Sequence, residues 1–198
     1  LSGAAVCVNA GTTTELNLAD YFRTRKMRYT PVVFEKSDEV LAAYVAGRCD
    51  VYSTDQSGLY AQRLKLRDPA AHVILPDIIS KEPLGPVVRQ GDDGWFNIVR
   101  WTLFALIGAE ELGVTSGNVG RLAVSATDPE IRRLLGTEGK VGANLGLDPK
   151  WAQRIIAAVG NYGELFERHL GESSRLKIKR GLNRLWNKGG LQYAPPIR

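Results

Sequence analysis

No apolar run in these 198 residues approaches the ~20 residues that a membrane-spanning helix requires. Cysteine occurs twice, at Cys7 and Cys49, and histidine twice, at His72 and His169, with neither histidine near either cysteine. That is too sparse a set of soft ligands for a zinc site, and no metal is expected. The chain has no G-x-S-x-G elbow, no H-E-x-x-H pair and no convincing Ser-His-Asp order. Gly11 is not followed by the lysine that a Walker A loop needs. Glu110 and Glu111 are neighbours in sequence, so on a helix they do not face one another. These absences leave no catalytic residue to nominate and no cofactor to expect. Internal repeats and low-complexity tracts are also missing. Leu1 stands where an initiator methionine would, with no signal peptide before it. The expectation is a processed protein or a piece of a longer one.

What is present suffices for a core. Apolar residues make up 44% of the chain and charged residues 24%, the balance of an ordinary globular protein. The formal charge of +5 is unevenly spread. Residues 1–83 hold ten basic and ten acidic side chains, whereas the last 24 residues carry seven basic groups and no acid. Nucleic-acid binding needs aromatics interleaved with such cations, and only Trp186 and Tyr193 are near. The tail therefore reads as a solvated basic helix face, and no nucleic-acid partner is expected.

Residues 4–10 form a short apolar strand candidate, followed by helical spacing over 13–27. Residues 29–35 read as a strand and 37–48 as a helix, with Ser37 or Asp38 suited to its start and Gly47 to its end. Strands over 49–54, 72–76 and 84–89 and a helix over 56–70 complete an alternating β-α pattern. That order predicts a mainly parallel, doubly wound α/β sheet. The remainder changes character. Residues 92–112 make a helix apolar nearly all round, which calls for a large covering surface. Helices are expected over 127–136, 148–170 and 174–190, two of them opening on Asp-Pro pairs. Pro83, Gly85 and Pro86 place a boundary within 80–86.

Two loops could carry chemistry. In "NAGTTTELNL" (9–18), Gly11 allows a sharp turn and Thr12, Thr13 and Thr14 add hydroxyls at a helix N-terminus. Free N–H groups and the positive dipole end favour a carboxylate or phosphate there. Ordinary helix capping explains the same residues. In "GRCDVYSTDQSG" (47–58), Asp55 lies just past the third strand. If the first and third strands are neighbours, both loops face one crevice beyond the carboxyl ends of the sheet, where doubly wound folds bind ligands. A helix N-terminus opposite a carboxylate suits a zwitterion, although Asp55 could equally be a helix cap. Asp50, at the strand's start, reads as structural.

The segments "LSGAAVCVNAGTTTELNL", "AGRCDVYSTDQSGLYA", "KEPLGPVVRQGD" and "GNYGELFERHLG" together resemble the polar amino-acid family of periplasmic substrate-binding proteins. Within it they are most similar to the general L-amino-acid-binding branch of ABC importers. The resemblance implies a type 2 periplasmic-binding-protein fold of two α/β lobes joined by crossing strands. Residues 1–83 then correspond to the second lobe. Residues 84–198 correspond to a crossing strand, the returning part of the first lobe and a helical C-terminal extension. It further implies that Gly11 with Thr12 or Thr13 contacts a ligand α-carboxylate, and that Asp55 receives the α-ammonium. The family's N-terminal stretch, with the arginine that clamps the carboxylate, has no counterpart in these residues.

The expected role is non-enzymatic: a periplasmic solute-binding component that captures an L-amino acid and delivers it to a membrane permease. A dehydratase-like enzyme and a sensory effector-binding domain on the same fold are the rivals. An exported protein meets an oxidising compartment, where Cys7 and Cys49, on strands of one small sheet, are expected to pair as a structural disulfide rather than persist as free thiols. Without the first-lobe sheet, Trp95, Phe96, Val99 and Phe104 are expected to leave an apolar surface open to self-association.

Overall fold

The computed structural model describes residues 1–81 and 83–198. Glu82, within the expected boundary, lies outside the described residues. The chain divides into two compact units, Leu1–Leu84 and Gly85–Arg198.

The first unit is built on a parallel sheet of β1 (Ala5–Asn9), β2 (Thr30–Phe34) and β3 (Val51–Tyr52) in the order β2-β1-β3. Cys7 stands opposite Val32 on one side and Tyr52 on the other, so β1 is paired along both edges. Alternation then sends its side chains to opposite faces. Val6 and Val8 pack with Leu18 and Phe22 of α1 (Thr13–Thr24). Cys7 packs with Val40 and Ala43 of α2 (Ser37–Val45). One helix lies on each face, the doubly wound layering expected from the alternating pattern.

Cys7 and Cys49 are joined, with Cα atoms 5.7 Å apart. Cys49 precedes β3 by two residues, so the bond fastens the middle of β1 to the loop that enters β3. It lies among the side chains facing α2 rather than directly beneath the strand ends. Closing a loop with a sequence separation of 42 stabilises by at most roughly 4 kcal/mol in the chain-entropy model.

Several expectations are corrected. Residues 72–76 and 84–89 are not strands. Among the described residues the sheet has three strands, and Val73 and Val87 are 81% and 95% exposed, with no neighbouring strand to cover them. The first stretch is instead held at its start, where His72 Nδ1 meets the Tyr44 hydroxyl at 2.8 Å, and beyond its end, where Ile79 packs beside the Phe22 cluster. The helix expected over 56–70 ends as α3 (Gln56–Arg63) and is followed by a separate single turn at Pro69–Ala71. Lys36, rather than Ser37 or Asp38, occupies the cap position of α2, and the Ser37 hydroxyl donates to Asn9 Oδ1 instead.

The second unit is helical: α4 (Asp93–Glu111), α5 (Val119–Ser125), α6 (Pro129–Leu134), α7 (Val141–Asn144), α8 (Trp151–Val159) and α9 (Tyr162–His169). Its core gathers Ala105, Leu106 and Ala109 of α4 with Val114, Leu135, Trp151 and Ile156. Only the second half of α4 is enclosed there; at its beginning Trp95 and Phe96 are half exposed. The helix expected over 148–170 is broken at Gly160, whose φ of +84° suits glycine, and a Cβ there would come within 2.8 Å of Glu164. Asp128-Pro129 opens α6 as expected. By contrast, Asp148-Pro149 precedes α8, and Asp148 Oδ1 accepts the Lys150 N–H just ahead of it.

Residues 174–190 are not a helix. Their backbone bonds to remote partners, Ile178 N–H donating to Leu170, Trp186 N–H to Gln192 and the Leu182 carbonyl accepting from Leu191, leaving only single turns at Gly181–Asn183 and Trp186–Lys188. Arg180 anchors this folded-back segment through a two-pronged pair to Glu110 of α4 at 2.9 and 3.1 Å.

Asn161 and Glu164 close a reciprocal cap at the start of α9, each side chain accepting the other's backbone N–H. Burial pushes the Glu164 carboxyl up, but hydrogen bonds from Ser116 and Asn161, aided by Arg168, outweigh it and hold the group below its ordinary value. A carboxyl lowered by folding contributes stability above its unfolded range, about pH 4.3, and that contribution is lost as pH falls through the lower folded value. Thermal melts between about pH 7 and about pH 3 are therefore expected to fall less steeply in Glu164→Gln than in the parent. Parallel curves would contradict this role.

Candidate functional site at the carboxyl ends of β1 and β3

β1 and β3 are adjacent and parallel, so the segments leaving their carboxyl ends emerge on one rim. The chain leaves β1 towards α1 and β2 on one side, while β3 lies on the other. This is the switch in strand order that opens a crevice in a doubly wound sheet. Gly11, Thr12 and Thr13 follow β1, and Asp55 follows β3 by three residues. The register thus brings the two predicted loops to the same rim.

At the first loop Gly11 takes φ +66°, and its N–H donates to Glu15 Oε2 at 2.8 Å. Thr12 is the cap of α1. Its hydroxyl accepts the Glu15 N–H at 3.3 Å and donates to the Asn9 carbonyl at 2.9 Å. Thr13 opens the helix and is exposed. Asn9 is tied in turn to the β2–α2 junction, accepting from the Ser37 hydroxyl at 3.2 Å. The turn is therefore held from three directions, and it presents the first N–H groups of a 12-residue helix to the rim.

At the second loop Asp55 occupies the position before α3, yet its side chain makes no cap hydrogen bond. Its carbonyl accepts the Leu59 N–H at 2.9 Å, so the backbone performs the capping geometry while the half-buried carboxylate stays out of it. Asp50 behaves differently: Oδ2 accepts the Ala5 N–H at 2.8 Å and ties the start of β3 to the start of β1, at the far end of the strands. Tyr52, the last residue of β3, is kept in its neutral form to higher pH by burial first and by Asp38 second.

Sequence reasoning gave Glu15 and Asn9 no role, and both shape the loop. Glu15 was signalled by the Thr-x-x-Glu spacing of a capping box. Asn9 had no comparable signal, because its partner Ser37 lies 28 residues away.

No family model matches the chain. Among curated proteins it is 64% identical over 200 residues to the general L-amino acid-binding periplasmic protein AapJ of Rhizobium johnstonii. It is 60% identical over 198 residues to the putative amino-acid ABC transporter-binding protein YhdW of Escherichia coli. It is 54% identical over 198 residues to the glutamate/glutamine/aspartate/asparagine-binding protein BztA of Rhodobacter capsulatus. All of this chain is covered in each case, and it spans 58%, 58% and 59% of those relatives. Among solved structures, an ABC transporter periplasmic binding protein from Brucella ovis with glutathione bound superposes with a TM-score of 0.93 at 62% identity. That likeness covers 100% of this chain and 62% of the other. With this identity running along its whole length, the chain is homologous to part of the periplasmic amino-acid-binding proteins of ABC transporters, spanning about three-fifths of each.

Proposed function

We propose that this chain is part of a periplasmic, non-enzymatic solute-binding component that captures L-amino acids and hands them to an ABC permease. The observation that carries the reading is the pairing of β1 with β3, which sets a helix N-terminus and an uncapped carboxylate on one rim. An α-carboxylate is favoured by the helix end, and an α-ammonium by Asp55. Gly11 shapes the turn. The Thr12 hydroxyl is engaged in the cap, and in this proposal the turn through Gly11, Thr12 and Thr13, at the N-terminus of α1, is the seat of the α-carboxylate.

Residues 1–83 act in this proposal as the second lobe of a two-lobed trap. Residues 84–198 supply the crossing segment, the returning part of the first lobe and a C-terminal extension. Glutathione, held by the Brucella ovis neighbour, carries a free α-carboxylate and α-ammonium on its γ-glutamyl end. The same rim chemistry therefore serves a γ-glutamyl peptide as readily as a free amino acid.

In a protein of the relatives' full length, Asp55→Asn is expected to weaken amino-acid binding by roughly 10- to 100-fold, the worth of a charge-assisted hydrogen bond. Asp50→Asn should alter stability more than affinity. Titration calorimetry on both variants checks this, and equal affinities would remove Asp55 from the site.

Trp95 and Phe96 at the exposed start of α4 are proposed as a self-association surface of the 198-residue chain. Light scattering is expected to show concentration-dependent species larger than a monomer, reduced by Trp95→Ser with Phe96→Ser. A strictly monomeric parent would contradict this.

A further inference from the structure

The folded-back segment beyond α9 has a composition that the binding reading does not use. From Arg175 to Arg198 there are seven cations and no acid. Arg180 is taken up by Glu110. Arg175, Lys177, Lys179, Arg184 and Lys188 are exposed, and none enters an ion pair among the described residues. Large apolar side chains stand among them: Leu182, Trp186, Leu191 and Tyr193 are 53%, 51%, 72% and 68% exposed.

These apolar residues are brought together by the fold. Leu191 N–H bonds the Leu182 carbonyl, Trp186 N–H bonds the Gln192 carbonyl, and the rings of Trp186 and Tyr193 meet edge to face at 5.8 Å. Trp186 Nε1 donates to Glu111 Oε1 at 3.0 Å, and the buried Leu185 roots the turn in the unit. The cluster is thus a fixed feature rather than a loose tail.

We infer that this segment is a docking surface for an anionic lipid bilayer, touched from the side without insertion of a helix. Two observations favour lipid over an acidic protein. First, Leu182 and Trp186 are carried on tight single turns as exposed side chains, with Leu191 and Tyr193 exposed beside them, whereas a concavity of this unit lies elsewhere, lined by Asn161, Glu164, Glu167 and Arg168. A protein hot spot needs pockets to fill, while a bilayer interface accepts projecting side chains. Second, tryptophan, tyrosine and leucine set among unopposed lysines and arginines are the composition of interfacial anchors, with aromatics at headgroup depth and cations on the anionic charge. No described helix is long and apolar enough to cross a membrane, so contact at the surface is the mode open to this segment.

The test is co-sedimentation of the whole chain with vesicles of phosphatidylcholine alone or with about one-third phosphatidylglycerol, at low salt and at about 0.5 M NaCl. Binding to the anionic vesicles only, abolished by salt, is expected. Replacing Lys177, Lys179 and Arg184 together by Gln should weaken it at least about tenfold. Replacing the exposed Lys26, Arg28 and Arg67 of the first unit by Gln should leave it nearly unchanged. Trp186→Ala should weaken it at an unaltered circular dichroism spectrum. Equal binding to both vesicle types, equal loss in the two triple variants, or no vesicle binding alongside tight binding to polyglutamate would each overturn the inference, the last in favour of an acidic protein.

Discussion

The first unit depends on the enclosure of β1. Val6, Cys7 and Val8 are each at most 1% exposed, with α1 covering one face, α2 the other and a strand along each edge. A strand enclosed on all four sides cannot shift its register, because a slip of one residue would exchange the two faces. That fixed register is what places the Gly11 turn and Asp55 at one level of the sheet. The Cys7–Cys49 bond adds a covalent tie from the centre of the same strand to the chain entering β3. Asp50 adds a polar tie at the opposite end from the rim. Stability and site geometry thus share one element.

In the proposed function the rim divides its polar groups between structure and ligand. Glu15 and the Thr12 hydroxyl hold the turn, while the Asp55 carboxylate stands at a cap position that its own backbone already serves. In the proposed function this carboxylate, which makes no cap hydrogen bond, receives an α-ammonium, and that gives affinity a source in the chemistry of the ligand's head rather than its side chain. This is consistent with relatives whose names span general L-amino acids and a four-member set of acidic residues and their amides.

The alternating pattern and both rim loops were legible in the sequence because they rest on local periodicity and short motifs; the adjacency of the first and third strands stood only as a condition and the Cys7–Cys49 bond followed from the expected oxidising compartment, and the structure holds both. The losses were non-local. Residues 72–76 have strand composition but no neighbour to pair with, and composition does not reveal a missing partner. Residues 174–190 have helix-like spacing, yet Leu170 and Gln192 accept their Ile178 and Trp186 N–H groups and Leu191 donates to their Leu182 carbonyl, contacts that periodicity cannot register. Gly160 broke a helix whose apolar stripe runs unchanged through it, since the stripe persists into α9 after the turn.

The central claim is that Asp55 reads the ligand's ammonium at the β1–β3 rim. It is tested most directly by comparing an L-amino acid with its 2-hydroxy-acid counterpart, which keeps the carboxylate and side chain but lacks the ammonium. Both are titrated calorimetrically against the full-length parent and against Asp55→Asn. The account predicts a preference for the amino acid of at least about tenfold in the parent, shrinking nearly to parity in the variant. A preference that survives intact in Asp55→Asn would contradict it.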